Sequence, residues 1–439
     1  MPQGLSLGHA SRERRVLVGL VAVAVAMAFA DSSIVVLALP QLYTRFETSI
    51  TGVAWVVTSY NAAVAIAALA LVFVVHRFRP RLVFASGLVL FIAATVACAL
   101  AQSLAFLIAA RSVQGAGAGL LLAGALPYSS IRVWTLAGTY GAALGPALGG
   151  VLTQLFDWRA IFVAQAPVAA LALVAAFLSD PAKSGAWHRT GRRAGPANAC
   201  LGLVFGALVG ALFLAVLLVI VVWQYTPIEG ALIVSVLPLA ALAVRALPRV
   251  HAVVAGAGLL AAGLVALALL PFASVPFAMC ALALCGAGLG LAVPPLSNEA
   301  LGDGAPRRVT FTVGIRHLGL VAAIASIAPL LASTLPSAGD RALLKATSTL
   351  LDAPIGITDK LPIALDLRGA FAKAKTGEIP NLKQPFDSRG AKSDPKLAAA
   401  RDDLVAAIQD TITRAFRSAF FLAAAFAVAA ALVGWRLVR

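Results

Sequence analysis

Stretches of about 20 apolar residues, the length that crosses a bilayer as a helix, recur along this chain almost without pause. They fall at about residues 16–39, 50–75, 82–102, 104–130, 134–156, 160–179, 199–223, 228–246, 252–270, 276–297, 311–333 and 413–435, and they predict twelve transmembrane helices. A basic stretch at 180–198 separates six spans from six, and a polar stretch at 334–412 separates the last two. The pattern therefore predicts an all-α membrane protein in five parts. These are a six-helix bundle over 1–179, a cytoplasmic linker over 180–198, helices seven to eleven of a second bundle over 199–333, an extracytoplasmic helical insert over 334–412, and helix twelve with a cytoplasmic tail over 413–439.

Composition excludes a soluble globular domain: 61% of residues are hydrophobic and 12% charged, with a mean hydropathy of +0.94. The net charge of +16 first suggests nucleic acid, but its distribution argues otherwise. With the N-terminus inside, the cytoplasmic segments hold Arg12, Arg14, Arg15, Arg77, Arg79, Arg81, Arg132, Lys183, Arg189, Arg192, Arg193, Arg245, Arg249, Arg307, Arg308, Arg436 and Arg439, whereas the short outer loops hold only Arg45 and Arg159. That is the positive-inside asymmetry, and it places both termini in the cytoplasm. The predicted partner of the basic surface is the lipid bilayer, with no nucleic acid. Cys98, Cys200, Cys280 and Cys285 lie in or beside apolar spans and imply no disulfide framework. Arg12–Arg15 followed by an apolar run and Ala28-Phe29-Ala30 imitates a signal peptide. Removing that span would invert the loop charges, so it reads as the first transmembrane helix.

The two halves carry a matching stretch. Gly115-Ala-Gly117-Ala-Gly119 with Pro127 stands in the fourth span, and Gly286-Ala-Gly288-Leu-Gly290 with Pro294 and Pro295 in the tenth, as a duplicated six-helix unit would have them. In the fifth span Gly141, Gly145 and Gly149 share one face, while Pro146 removes a ladder hydrogen bond and Gly150 follows. This reads as a hinge at a packed helix interface, expected to be the sliding contact between the halves.

The insert has ten acids against eleven bases. Leu397, Leu404, Ile408 and Ile412 recur at helical spacing over 394–417, so the last helix is expected to project beyond the bilayer and pack on 341–351 as a small outer cap.

Charges within the spans are few: Asp31, Arg111 and Arg316, with His317 beside the last. Burying a charge at the bilayer centre costs about 2.5–3.5 kcal/mol on insertion scales, so these side chains should face the bundle interior. Counting from the outer ends of spans one and four at 1.5 Å per residue, Asp31 and Arg111 both lie roughly 10–14 Å deep and can meet. A carboxylate balanced between desolvation and a neighbouring guanidinium can hold a proton in one conformation and release it in another. Arg316 and His317 stand early in span eleven. Trp55, Thr58, Ser59, Tyr60 and Asn61 make an aromatic and hydroxyl patch in span two, expected with Gln114 to line a cavity. The other histidines, His9, His76, His188 and His251, are scattered, so no metal site is expected, and no catalytic constellation appears in the spans.

Together these residues resemble the major facilitator superfamily, and within it the drug:proton antiporters. Asp31 with Ala38-Leu39-Pro40 is similar to that group's first-helix motif, and Trp55–Tyr60 to its second-helix pattern. Arg111-Ser-Val-Gln114-Gly115-Ala-Gly117-Ala-Gly119 resembles the fourth-helix motif, Gly141–Gly150 the fifth-helix antiporter motif, and Arg316-His317-Leu318-Gly319 the eleventh-helix pattern. Asp157-Trp158-Arg159 follows the fifth helix as in the family. The loop Val72–Arg81 departs from it, with His76 where an acid stands, so the family's cytoplasmic latch does not carry over; the connection at 129–134 is also short. The resemblance implies two pseudo-symmetric six-helix bundles and proton coupling through Asp31 and Arg111. It implies a substrate cavity at Trp55, Tyr60, Asn61, Gln114, Arg316 and His317. Export of an amphipathic small molecule by a monomer, driven by the proton gradient and needing no cofactor, is the function expected. A lipid exporter using the outer insert and a non-transporting scaffold or sensor are the alternatives.

Overall fold

The computed structural model describes residues 3–181, 193–244, 251–373, 382–389, 391 and 394–438. Most of the 180–198 linker lies outside them, with Lys183, His188, Arg189 and Arg192, as do Arg245, Arg249, Arg439 and residues 374–381 of the insert. Of His9, the helix position is described but not the side chain.

The first half contains α1 (Gln3–Ala30), the short α2 (Leu39–Arg45), α3 (Ile50–Leu71), α4 (Pro80–Ala99), α5 (Leu104–Ala125), α6 (Ile131–Leu155) and α7 (Arg159–Leu178). The second contains α8 (Ala194–Val216), α9 (Pro227–Ala243), α10 (Ala252–Ala268), α11 (Val275–Leu301), α12 (Pro306–Asp352), α13 (Ile357–Lys373), α14 (Gln384–Asp387), α15 (Pro395–Thr413) and α16 (Arg417–Val438). No strand occurs among the described residues. Local chemistry sets the starts. Ser49, Ser103 and Ser130 accept from the backbone N–H groups of Gly52, Phe106 and Val133, capping α3, α5 and α6. A proline opens α4, α9, α12 and α15, where its missing N–H is no loss. Eight helices among the described residues are long and apolar enough to cross a bilayer, and α1 with α2 makes a ninth bent by 50°. With α9 and α10, of 17 residues each, and the glycine-rich α6, they stand where the twelve sequence spans fall.

Alternate glycines of the fourth helix in each half seat two different neighbours. A Cβ at Gly115 would strike the Tyr60 carbonyl of α3 and one at Gly119 would press on Ala67 of the same helix, while one at Gly117 would meet Phe91 of α4. In the second half Gly286 and Gly290 face Leu237 and Ala241 of α9, and Gly288 faces Gly256 of α10. The same contact rule repeated in both halves is the structural trace of a duplication.

The glycine stripe of α6 holds a different partner from the one expected. A Cβ at Gly141, Gly145 or Gly149 would run into the carbonyls of Ala26, Ala30 and Ile34, so these three seat the first helix within its own half. Gly150 looks across to the second half, with Pro227 O 2.6 Å and Ala231 Cβ 2.8 Å from where its Cβ would stand, and Gly138 does so near the other end of α6, with Arg316 Nη1 3.2 Å from its Cβ position. The sequence stripe fixed a smooth face but not what lies on it. The halves meet where α6 packs on α9 and α3 on α12. At the face bearing both termini Arg307 Nη2 lies 3.3 Å from His76 Nδ1; at the opposite, insert-bearing face Leu37 reaches both Gly150 and Gly230.

Helix eleven does not stop at residue 333. α12 is a single helix of 47 residues, about 70 Å at 1.5 Å per residue, more than twice a bilayer core of about 30 Å. Its projecting part buries Ala338, Ala342, Ala346 and Leu350, and α15 packs on α12 with Leu397, Ala400, Leu404 and Ile408 buried. Leu217–Val222, a π-helical turn, ends α8 at Trp223, whose indole donates to Thr413 Oγ1 at 3.0 Å, while Gln409 donates to the Trp223 carbonyl at 3.2 Å. Asp410 accepts from the Ala273 N–H at 2.7 Å. The insert is thus bolted to the bundle rather than tethered. Within it, hydrogen bonds from Arg401 to Asp402 and Asp387 hold that guanidinium above its usual pKa.

Candidate functional site: a buried ion pair and a buried cation at the junction of the halves

The first span breaks at Asp31-Ser32-Ser33, between Ala30 and the 3-10 turn Ile34–Ala38. A break inside a membrane protein strands backbone carbonyls, each of which needs a donor. Tyr60 Oη donates to Ala28 O at 2.7 Å, Arg111 Nη2 to Asp31 O at 2.9 Å, and Asn61 Nδ2 to Ser32 O at 3.3 Å. Ser33 Oγ donates to Ala142 O at 2.8 Å. That carbonyl is the one left without its ladder donor by Pro146 four residues on. The proline of α6 and the break in α1 therefore satisfy one another.

Around the break sits a closed polar centre. Arg111 Nη1 lies 2.6 Å from Asp31 Oδ2, and both side chains are fully buried. The guanidinium also donates to Val56 O and Gln114 Oε1, at 3.2 and 2.8 Å, and lies over the Tyr60 ring at 4.2 Å. Gln165 of α7 donates to the other carboxylate oxygen, Asp31 Oδ1, at 2.9 Å. Gln114 Nε2 in turn donates to Gln165 Oε1 and Thr95 Oγ1, at 2.9 and 2.8 Å, and Cys98 Sγ lies 3.5 Å from Gln114 Oε1. Both carboxylate oxygens accept a side-chain hydrogen bond, so a proton taken up on either weakens the bond that oxygen accepts. Gln165, Thr95 and Cys98 were not picked out from the sequence. Gln165 was detectable, as a lone amide between alanines in an apolar span.

The second centre lies between the halves. Arg316 of α12 is sandwiched by Phe29 of α1 and Phe205 of α8, with Cζ 3.8 and 3.5 Å from the ring centroids, a cation–π arrangement on both faces. Its Nη2 donates to Gly138 O of α6 at 2.9 Å. His317 stacks on Phe29 at 5.8 Å, its Nδ1 2.8 Å from Val313 O and its Nε2 3.3 Å from Ser32 Oγ. Ser32 adjoins Asp31, so the break in the first helix touches both centres.

The structure redistributes the expected cavity residues. Trp55 is 56% exposed and shares an outward face with Ile66, three helical turns on and also exposed; it faces the lipid side, as interfacial tryptophans do. Tyr60, Asn61 and Gln114 are packed into the Asp31 centre rather than lining open space. Two cavities lie toward the terminus face. One of about 570 Å³ is bordered by Val75, His76, Phe78, Ala305 and Arg307. Another of about 320 Å³ lies between α6, α9 and α11, bordered by Arg132, Thr135, Tyr140, Leu289 and Asn298.

Comparison with known proteins gives a consistent picture. The family model described as Major Facilitator Superfamily matches residues 21–329. The multidrug resistance protein Stp of Mycobacterium tuberculosis (strain CDC 1551 / Oshkosh) is 34% identical over 159 residues, covering 34% of this chain and 30% of that protein. The methylenomycin A resistance protein of Bacillus subtilis (strain 168) is 33% identical over 163 residues, 34% of this chain and 35% of that protein. The match thus spans about a third of these relatives. Among solved structures, a bacterial homolog of the human lysosomal transporter Spinster, inward-facing and unoccupied, aligns over 97% of this chain and 98% of its own at a TM-score of 0.59 and 18% identity. The proton:xylose symporter XylE does so over 98% and 96% at 0.59 and 13%.

Proposed function

The chain belongs to the major facilitator superfamily and is a multi-pass membrane protein; on that premise we propose that it exports amphipathic small molecules in exchange for protons by alternating access. The observation that carries this reading is the fully buried Asp31–Arg111 pair at the break of the first helix. Protonating Asp31 removes the charge that holds Arg111, and the neutral acid offers a donor where the carboxylate offered an acceptor. The carbonyl and hydroxyl contacts made by the break then have to re-form. Through Ser32 and His317 that rearrangement reaches the other half, and through Ser33 it reaches the proline of α6. The proton gradient replaces any cofactor. The termini face the cytoplasm in this reading, which the basic loops support, and the protein sits in the cell membrane as a monomer.

The test is accumulation of a panel of dyes, antibiotics and lipids in inside-out vesicles containing the protein, with and without a protonophore. Uptake of at least one compound that collapses with the gradient is expected. Absence of gradient-dependent uptake across the panel would contradict the proposal.

A further inference from the structure

Arg316 is a cation in the membrane interior with no counter-charge among the described residues. Arg111 makes four hydrogen bonds, one of them to a carboxylate. Arg316 makes one, to Gly138 O, and its Nε finds no acceptor. Among the described residues no carboxylate lies within ion-pair distance of it. Aromatic rings cover both of its faces, which leaves only the edge of the guanidinium plane for a partner. That edge is the surface that pairs with an oxyanion in a planar, two-pronged way.

Other donors without partners cluster on the same elements. Thr312 Oγ1 stands one turn before Arg316 on α12, and Trp134 Nε1 and Thr135 Oγ1 stand one turn before Gly138 on α6; all three are buried and unbonded. Trp134 packs edge-on against Phe29, the ring beneath Arg316, at 5.2 Å. Thr135 also borders the 320 Å³ cavity. Unsatisfied buried polar groups are rare in folded proteins, and open donors one turn away on the two helices that carry Arg316 and its acceptor Gly138 point to a ligand acceptor.

We propose that Arg316, with Thr135, Thr312 and Trp134, forms a subsite for the carboxylate of an organic acid whose skeleton extends into the cavity that Thr135 borders. A volume of about 320 Å³ admits a small aromatic or short aliphatic skeleton and not a two-chain lipid. The inference rests on the transport reading in that it assigns the subsite to a cargo, and it narrows that cargo to acidic amphiphiles. The same chemistry would make the cation a bridge between halves: Phe29 and Gly138 belong to the first, Phe205 and Arg316 to the second.

Equilibrium binding to the full chain in nanodiscs tests it, using 1-naphthoate, neutral 1-naphthamide and cationic 1-naphthylmethylamine, which share one ring system. Naphthoate is expected to bind at least tenfold more tightly than either analogue. In Arg316→Gln the three affinities should fall within twofold of one another. Arg316→Lys should keep a reduced preference, and Thr135→Val should weaken naphthoate several-fold without changing naphthamide, so a failure of the Gln variant to fold leaves the test intact. Equal affinities in the wild type, or an undiminished preference in folded Arg316→Gln, would overturn the subsite. Protonophore-sensitive transport without acid preference would sink this inference alone, and acid binding without any transport would sink only the export reading.

Discussion

Asp31 and Arg111 show what a buried charge pair demands. Removing one member leaves the other unpaired at a cost of about 3–5 kcal/mol, whereas removing a neutral donor to the pair costs about 1–3 kcal/mol. Arg111→Leu is therefore expected to destabilise more than Gln165→Leu, and denaturant titrations in detergent would check the order; the reverse order would mean that Arg111 is not the main partner of Asp31. The pair was legible in the sequence because charges in apolar spans are scarce and depth can be counted along a helix. Gln165 was visible as a lone amide in an apolar span but was passed over, because a neutral amide costs far less to bury than a charge and so does not by itself mark a site. Trp55 misled for a geometric reason. Neighbours in sequence point around a helix, so Trp55 and Tyr60 lie on different faces although they read as one patch.

At the scale of elements, small-residue stripes announce a close approach but not the partner. The glycines of α6 were legible as an interface, yet the first helix, not the second half, lies on three of them. Gly141→Val would set a branched side chain against the Ala26 backbone and should destabilise by at least about 2 kcal/mol. Trp55→Ala, on an outward face, should change stability by less than about 0.5 kcal/mol. Thermal unfolding of the two variants side by side would check the contrast, and equal effects would contradict the packing described. The length of α12 was hidden because its apolar pattern ends near 333 while its alanine stripe continues at helical spacing through a polar surface. Pro336 and Gly339 sit inside this helix, on which α15 packs.

For the whole molecule, the helical membrane fold was written in the apolar periodicity, and the paired close approaches of the fourth helix in each half in the glycine repeats. How the halves meet was not, since contacts such as Arg316 on Gly138 join residues 178 positions apart. The insert is fixed to the bundle through Trp223, Thr413 and Asp410. Asp410→Ala is expected to raise hydrogen exchange in the C-terminal turns of α15 and at Ala273, leaving the first half unchanged; protection unaltered in both places would contradict the docking. Proton-coupled export as proposed rests on one exchange of a proton at Asp31. Asp31→Asn keeps the shape of the protonated acid but cannot release a proton, so reconstituted in liposomes it should still exchange substrate across the membrane at equal pH while failing to concentrate it when a pH gradient is imposed. Accumulation equal to that of the wild type under the same gradient would contradict the account.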